Sequence, residues 1–338
     1  MSGQVDSVLD ARAQVLDEIE LGEKFVLVTH VNPDGDALGS LVAMHNILVA
    51  LGKDSVMFMA ADEFPLPYEY RFFDFDGLVS TPPDDIAERT VIFLDCGNID
   101  RLGEGVFKDD GRHILNIDHH HDNTRFGTVN LVVEDASCTA EIVWDLMRAL
   151  GVQITPAIGD ALYVGLVTDT GKFMYENTGT RAHVMAAELV AAGVDVHEIY
   201  RRLYEEMPYA KLALLARGLA KVERYDDGAL TCSRLSRDDF VSAQAEESYS
   251  EGIIDHLRSV AGTKVAALSR ELLDPARAGG KKVSLRSTDG EVDVSAIARA
   301  GGGGGHRQAA GFSTELDDEE LVAFLRREIA AQLGPARA

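Results

Sequence analysis

The sequence predicts a two-domain α/β protein, with a larger N-terminal domain built on a mostly parallel sheet with flanking helices and a smaller C-terminal α/β domain. Three observations carry this. The 338 residues exceed what a single core ordinarily organises. Through the first half, apolar strand-like runs alternate with helical stretches, as in a sheet covered by helices. After about residue 222 the register changes and a second set of strands and helices begins.

Residues 3–21 carry a helical pattern, and FVLVTH (25–30) is the first strand. A helix over 36–51 follows. Strands SVMFM (55–59), TVIFLD (90–95), HILNID (113–118) and GTVNLVV (127–133) come next, then helices over 137–150, 156–168 and 180–192. Near-continuous apolar runs such as VIFL fit strands buried on both faces. The charged helical stretch from about 195 to 222 contains Pro208, a break or a helix start, and reads as a connector. The expected division is therefore 1–194, a connector over 195–222, and 223–338. In the last part ALTCSRL, TKVAALSREL and KKVSLRS are strands and VDVSAIARA a short helix. GGGGGHRQAAGF follows as a glycine-rich turn, and DDEELVAFLRREIAAQL is the final helix.

Composition narrows the function. With 46% hydrophobic and 26% charged residues the chain reads as globular. No apolar run reaches the roughly 18 residues of a membrane span. The acidic, amphipathic start MSGQVDSVLDARAQVLDEIE lacks the basic-then-apolar order of a signal peptide. Cys96, Cys138 and Cys232 are few and widely spaced, against a disulfide framework or a Cys-ligated zinc site. A cytoplasmic location is expected. Thirty-two basic against 56 acidic residues leave a net charge of −24. Long nucleic acid, which is held by basic surfaces, is not expected as a partner, nor is a membrane. An anionic substrate should be short, with bound cations carrying the attraction.

Four polar clusters fall at the carboxyl ends of predicted strands or of an apolar helix: THVNPDGD, FLDCGNIDRLG, NIDHHHDN and GLVTDTGKF. In an open α/β sheet, ligands bind beyond those ends, so residues distant in sequence can converge there. Each cluster alone has an ordinary reading. NPDGD is turn chemistry with Asp36 placed to cap the next helix, and Asp95 could be a strand-end turn residue. A calcium loop fails, because the twelfth position from Asp34 is His45 rather than a bidentate Glu. A strand ending directly in Asp-His-His is a poor turn. Together, carboxylates and imidazoles are a ligand set for Mn²⁺- or Mg²⁺-like ions. Two such ions, about 3.5–4 Å apart and bridged by a carboxylate, clamp the attacking and leaving oxygens of a displacement at phosphorus.

The HxNPDGDAxGS, strand-end Asp, DHH and TDTG elements, in this order, resemble the DHH phosphoesterase superfamily. GGGGGHRQAAGF resembles its DHHA1-type C-terminal domain, and the resemblance covers roughly residues 8–330. The most similar branch is that of oligoribonucleases (nano-RNases) and 3′-phosphoadenosine 5′-phosphate phosphatases, whose relatives also hydrolyse linear or cyclic dinucleotides. The resemblance implies an active site in the cleft between two domains and two Mn²⁺ ions, with Mg²⁺ as the alternative. It implies that His30 and Asp34 hold one ion, that Asp95 bridges to the second, and that Asp36, His119 and Asp169 complete the second. Asp118 would orient a histidine, and His120 would face the scissile phosphate as acid or charge stabiliser. His121 reads as a solvated surface residue.

A glycine-rich turn lets backbone N–H groups approach an anion. The resemblance places Gly303, Gly304, Gly305, His306 and Arg286 against the substrate's non-scissile phosphate or terminal nucleotide. The run departs from the usual pattern in having five glycines, preceded by Ala300. Arg101 could contact a substrate phosphate or pair with a surface carboxylate. Cys96 reads as a small core residue, Trp144 as helix core and PYEYRFFDF (67–75) as a packed loop.

The expected enzyme is thus a Mn-dependent phosphodiesterase or phosphatase. Its substrates would be RNA of roughly two to five nucleotides, linear or cyclic dinucleotides, or 3′-phosphoadenosine 5′-phosphate, cleaved to nucleoside 5′-monophosphates. The rivals are a sister-branch pyrophosphatase or single-strand exonuclease, and a nucleotide sensor without turnover. A homodimer through the N-terminal domain is compatible with these features and required by none.

Overall fold

The apolar runs of the first half pair side by side as one sheet: β1 (Lys24–Val28), β2 (Asp54–Phe58), β3 (Leu78–Val79), β4 (Thr90–Leu94), β5 (Ile114–Asp118) and β6 (Val129–Val132). They do so in a computed structural model that describes residues 2–64, 66–102, 107, 112–274, 279–305 and 307–333. The order across the sheet is β3-β2-β1-β4-β5-β6, and every pairing is parallel. The chain therefore builds outward from β1 in one direction, returns, and adds β4, β5 and β6 in the other. A crevice opens at such a reversal, beyond the carboxyl ends of the strands on either side of it. Here those strands are β1 and β4. Their apolar runs, Phe25–Val28 and Val91–Leu94, are wholly buried, as strands covered on both faces must be.

Among the described residues, the α-helices of this unit are α1 (Ser2–Leu21), α2 (Gly35–Ala50), α3 (Thr139–Ala149), α4 (Pro156–Asp169), α5 (Thr180–Ala191) and α6 (Val196–Tyr200). Leu38, Leu41 and Ile47 of α2 join Leu162 and Leu166 of α4 in the core over Leu27 and Ile92. The opposite sheet face buries Phe58, Phe93 and Phe107, whose rings meet edge to face, together with Cys96. Trp144 is core, as its helical position predicts, and Phe73 of the 67–75 segment packs against the same cluster.

One local expectation is corrected. Asp34, not Asp36, caps α2: its Oδ1 accepts from the amides of Asp36 and Ala37, both at 3.1 Å. The helix starts one residue earlier than the periodicity predicts, because Gly35 fits against Thr168, where any Cβ would collide.

The chain divides after Glu206, and Met207–Ala338 form a second unit. It contains α7 (Tyr209–Ala220), β7 (Glu223–Tyr225), β8 (Leu230–Leu235), α8 (Arg237–Ala243), α9 (Ile253–Arg258), β9 (Val265–Glu271), β10 (Lys281–Ser287), α10 (Val294–Ala300), β11 (Gly304–Gly305), β12 (Ala309–Thr314) and α11 (Asp318–Leu333). Its sheet runs β11-β12-β10-β9-β8-β7 and is antiparallel except for the β8–β9 pair. Leu230, Val265, Leu285, Ile297, Phe312 and Leu325 make its core. Pro208 immediately precedes α7, a helix start rather than a break. Among the described residues no helix is long and apolar enough to cross a membrane.

In the first unit, α2 and α4 cross backbone to backbone. A Cβ on Gly39 would lie 2.5 Å from the Ala161 carbonyl oxygen and 2.9 Å from the Gly165 nitrogen. Gly39→Ala should therefore lower the unfolding free energy by about 1–3 kcal/mol, as overpacking does. Gly179→Ala, where nothing lies within 4 Å, should cost under about 1 kcal/mol. Denaturant unfolding of the two variants checks the contrast, and equal losses would sink the packing account.

Candidate metal centre

Beyond β1 the chain turns at Asn32, which has a φ of 52°, and delivers His30, Asp34 and Asp36 to the crevice. His30 is buried, with Nδ1 2.8 Å from the Val31 carbonyl. That contact places a proton on Nδ1 and turns Nε2 toward Asp95. Nε2 lies 3.7 Å from Asp95 Oδ2.

Asp36 is 1% exposed. Its Oδ2 accepts from the Thr139 amide at 2.6 Å, and its Oδ1 from the Ala140 amide at 2.9 Å and the Ser40 hydroxyl at 3.3 Å. These amides are the open N-terminus of α3, where an anion is favoured. Burial, then the charges of Asp95, Asp169 and Asp34, still hold its pKa well above the usual carboxylate range.

Asp95 leaves β4 with a φ of 57°, a left-handed conformation that Asp and Asn tolerate better than most residues. It is 2% exposed, and the Thr139 hydroxyl donates to its Oδ1 at 3.0 Å. Burial opposes its charge, but the His30, His120 and His119 imidazoles outweigh it and hold the carboxyl well below the usual range.

Asp118, fully buried at the end of β5, accepts on Oδ1 from the His119 amide at 2.9 Å and from His120 Nδ1 at 2.7 Å. Its Oδ2 accepts from Asn123 Nδ2, and Asn123 Oδ1 accepts from Asn116 Nδ2 at 3.0 Å. His119 Nε2 lies 3.6 Å from Asp95 Oδ1, 3.7 Å from Asp169 Oδ2 and 4.0 Å from Asp36 Oδ2. Asp169 is the last residue of α4, and Asn177 Nδ2 donates to its Oδ2 at 3.1 Å. Its pKa is pushed up to about 6, first by burial and then by Asp95 and Asp34 against the pull of His119.

Three sets of side chains thus bring three ligand-capable atoms within 4.8 Å of one another: His30, Asp34 and Asp95; Asp36, His119 and Asp169; Asp95, His119 and His120. The nitrogen–oxygen gaps of 3.6–4.0 Å between imidazoles and carboxylates are too long for hydrogen bonds. The donor set is oxygen and imidazole nitrogen without thiolate, which fits a Mn²⁺- or Mg²⁺-like ion.

His121, read as a surface residue, is exposed. Arg286 (on β10) and Gly303, Gly304 and Gly305 belong to the second unit, where β12 runs between β10 and β11. Gly304 and Gly305 pair with Gly311 and Ala310, and a Cβ on Gly303 would lie 2.2 Å from the Gly311 carbonyl. Close backbone approach accounts for part of the glycine run. His306 and the Arg101 side chain lie outside the described residues.

Sequence reasoning did not single out Thr139, Asn123 or Asn177. Asn123 closes the quoted cluster NIDHHHDN and Asn177 lies four residues beyond GLVTDTGKF, which is the signal that could have found them. Thr139 had none, since SCTAE reads as an ordinary helix start.

Residues 24–166 match the DHH family, N-terminal domain, and residues 235–333 match the DHHA1 domain. The chain is 35% identical over 323 residues to the bifunctional oligoribonuclease and PAP phosphatase NrnA of Thermus thermophilus, covering 94% of this chain and 93% of that one. It is 25% identical over 313 residues to the NrnA of Bacillus subtilis with the same description, covering 91% and 95%. Among solved structures, an exopolyphosphatase-related protein from Bacteroides fragilis superposes with a TM-score of 0.85 at 23% identity, covering 96% of each chain.

The raised Asp169 pKa sets a pH dependence. A carboxyl at about 6 in the folded state, above its unfolded value of about 3.9, contributes stability below that unfolded value. The contribution is lost as pH rises through about 6. A cation must displace the same proton. Mn²⁺ should therefore raise the melting temperature at pH 7.5 by several degrees and by much less at pH 5, the scale of about 2–3 kcal/mol for a saturating ligand. Asp169→Asn should not lower the metal-free melting temperature at pH 7.5 but should shrink the Mn²⁺ increment. Calorimetry with and without chelator reads both, and a metal increment independent of pH would sink the assignment.

Proposed function

Because this chain belongs to the DHH family and carries a DHHA1 domain in its second unit, we propose that it is a metal-dependent phosphoesterase of short nucleotides. Its substrates are oligoribonucleotides of a few residues, linear or cyclic dinucleotides and 3′-phosphoadenosine 5′-phosphate, released as nucleoside 5′-monophosphates. The observation that carries this reading is Asp95, one buried carboxylate facing two ligand groups at once. The printed activities of the Thermus and Bacillus relatives support the choice of short nucleotides.

On this reading His30, Asp34 and Asp95 hold one ion, and Asp36, His119 and Asp169, with Asp95 shared, hold the second. Mn²⁺ is the proposed ion and Mg²⁺ the alternative. When bound, such ions neutralise phosphoryl oxygens and acidify water. The chain's own residues do the rest. The α3 amides keep Asp36 ionisable in a dry site, and the Thr139 hydroxyl fixes the orientation of Asp95. Asp118 takes His120 Nδ1, so a proton delivered to the leaving oxygen would come from Nε2. The same hydrogen bond holds the His120 ring in place, and a protonated imidazole there would stabilise charge on the phosphoryl group. Arg286, the glycines at 303–305 and His306 are proposed to hold the non-reacting part of the nucleotide.

Asp95→Asn keeps a residue suited to a φ of 57° and removes the shared charge. It should lower mononucleotide release by about 10²–10⁴-fold. The assay compares 3′-phosphoadenosine 5′-phosphate, diadenylate, cyclic diadenylate, a five-nucleotide RNA, a long single strand and pyrophosphate, with Mn²⁺ and with chelator. Metal-dependent cleavage confined to the short nucleotides is expected. Preference for pyrophosphate or the long strand would overturn the substrate assignment, and normal turnover by Asp95→Asn the mechanism.

A further inference from the structure

The segment directly after Asp169 builds an aromatic surface that no step above uses. Gly171, Lys172 and Phe173 have consecutive positive φ values of 55°, 63° and 64°, and only the first is glycine. Two left-handed non-glycine residues in a row persist only where neighbouring contacts hold them. Those contacts converge on Thr170, which is fully buried. Its carbonyl accepts from the Met174 and Tyr175 amides, both at 3.0 Å, and its hydroxyl from the Phe173 amide at 3.1 Å.

Tyr175 then folds back over Gly171, where an added Cβ would lie 2.4 Å from the ring. The ring covers this glycine and is 58% exposed. Asn177 ties the far end of the segment to Asp169 and to the Ser137 carbonyl. The segment that carries the exposed ring therefore starts at Asp169 and is tied back to it at its far end.

From the same turn Lys172 reaches Tyr204: its Nζ lies 3.8 Å from the Tyr204 ring centroid, so this lysine of a strongly acidic chain rests on an aromatic face. An exposed ring over a tightly bonded turn, a second ring and a cation, in the segment that follows Asp169, match the way single-stranded nucleotides are held. Bases stack on aromatic faces while cations meet phosphates, and stacking tolerates any base.

We propose that Tyr175, with Tyr204 and Lys172 beside it, is a nucleobase-stacking site of the first unit that holds the base nearest the phosphate being cleaved. The proposal rests on the short-nucleotide reading above and adds a determinant of substrate class to it. It gives the first unit a share in substrate recognition.

The experiment compares wild type, Tyr175→Ala and Tyr175→Phe on diadenylate and on an abasic dinucleotide, with Mn²⁺. Tyr175→Ala should raise KM for diadenylate about tenfold or more, leave its kcat within about twofold, and leave the abasic substrate unaffected. Tyr175→Phe, which keeps the ring, should restore the wild-type KM. Equal losses on both substrates would reduce Tyr175 to a packing role and overturn the proposal, as would an unchanged KM. Equilibrium binding of diadenylate and of the abasic dinucleotide to the Asp95→Asn protein, with and without Tyr175→Ala, makes the same comparison without turnover. If wild type cleaves neither substrate, the enzymatic reading fails while the binding comparison still decides the stacking site.

Discussion

Asp36 and Asp95 are almost wholly withdrawn from water, within reach of each other's charge, and the surrounding structure exists in large part to make that tolerable. An unpaired buried carboxylate costs several kcal/mol. For Asp36 the compensation comes from peptide dipoles, the first amides of α3 aimed at both of its oxygens. For Asp95 it comes from imidazoles and one hydroxyl. The two solutions push the carboxyls in opposite directions from the ordinary carboxylate range, although their burial is nearly equal.

The topology explains how these groups meet. Because strand order reverses between β1 and β4, two neighbouring strands aim their carboxyl ends at one crevice, and β5 lies next in line. The motifs following β1, β4 and β5 are thereby brought together without any unusual local structure. The fourth contribution, from α4, depends on the glycine-lined crossing with α2, which lets Asp169 reach the same region as Asp36. The acidic surface of the protein adds nothing to this convergence.

The parallel sheet was legible because its strands are continuous apolar runs of five or so residues, which only burial on both faces explains. β3 was not, being two residues long, and neither were α8 and α9, short helices in polar stretches whose existence depends on packing. The residues that meet in the crevice could be read because unusual residues cluster at strand ends. Their supports could not. Asp36 looked like a helix cap and instead receives a different helix, because the partner amides lie about a hundred residues away and backbone donors leave no mark in a sequence. Asp34, the actual cap, also lies within reach of His30 and Asp95, which the same turn signal could not separate. The glycine run looked like an anion cradle, while Gly303 and Gly305 are also demanded by contact with β12.

The bond from the Thr139 amide to Asp36 spans 103 residues, and this has a consequence in time. Chains emerge from synthesis at about 5–20 residues per second. The Asp36 carboxyl is therefore made roughly 5–20 seconds before the peptide groups that receive it, and Asp169 follows later still. During that interval β1 and α2 carry a buried-type acidic turn with no neutralising partner, so the centre cannot take its final form on a partly synthesised chain. Assembly of the site is coupled to completion of nearly the whole first unit, which makes a formed centre a marker of a finished fold.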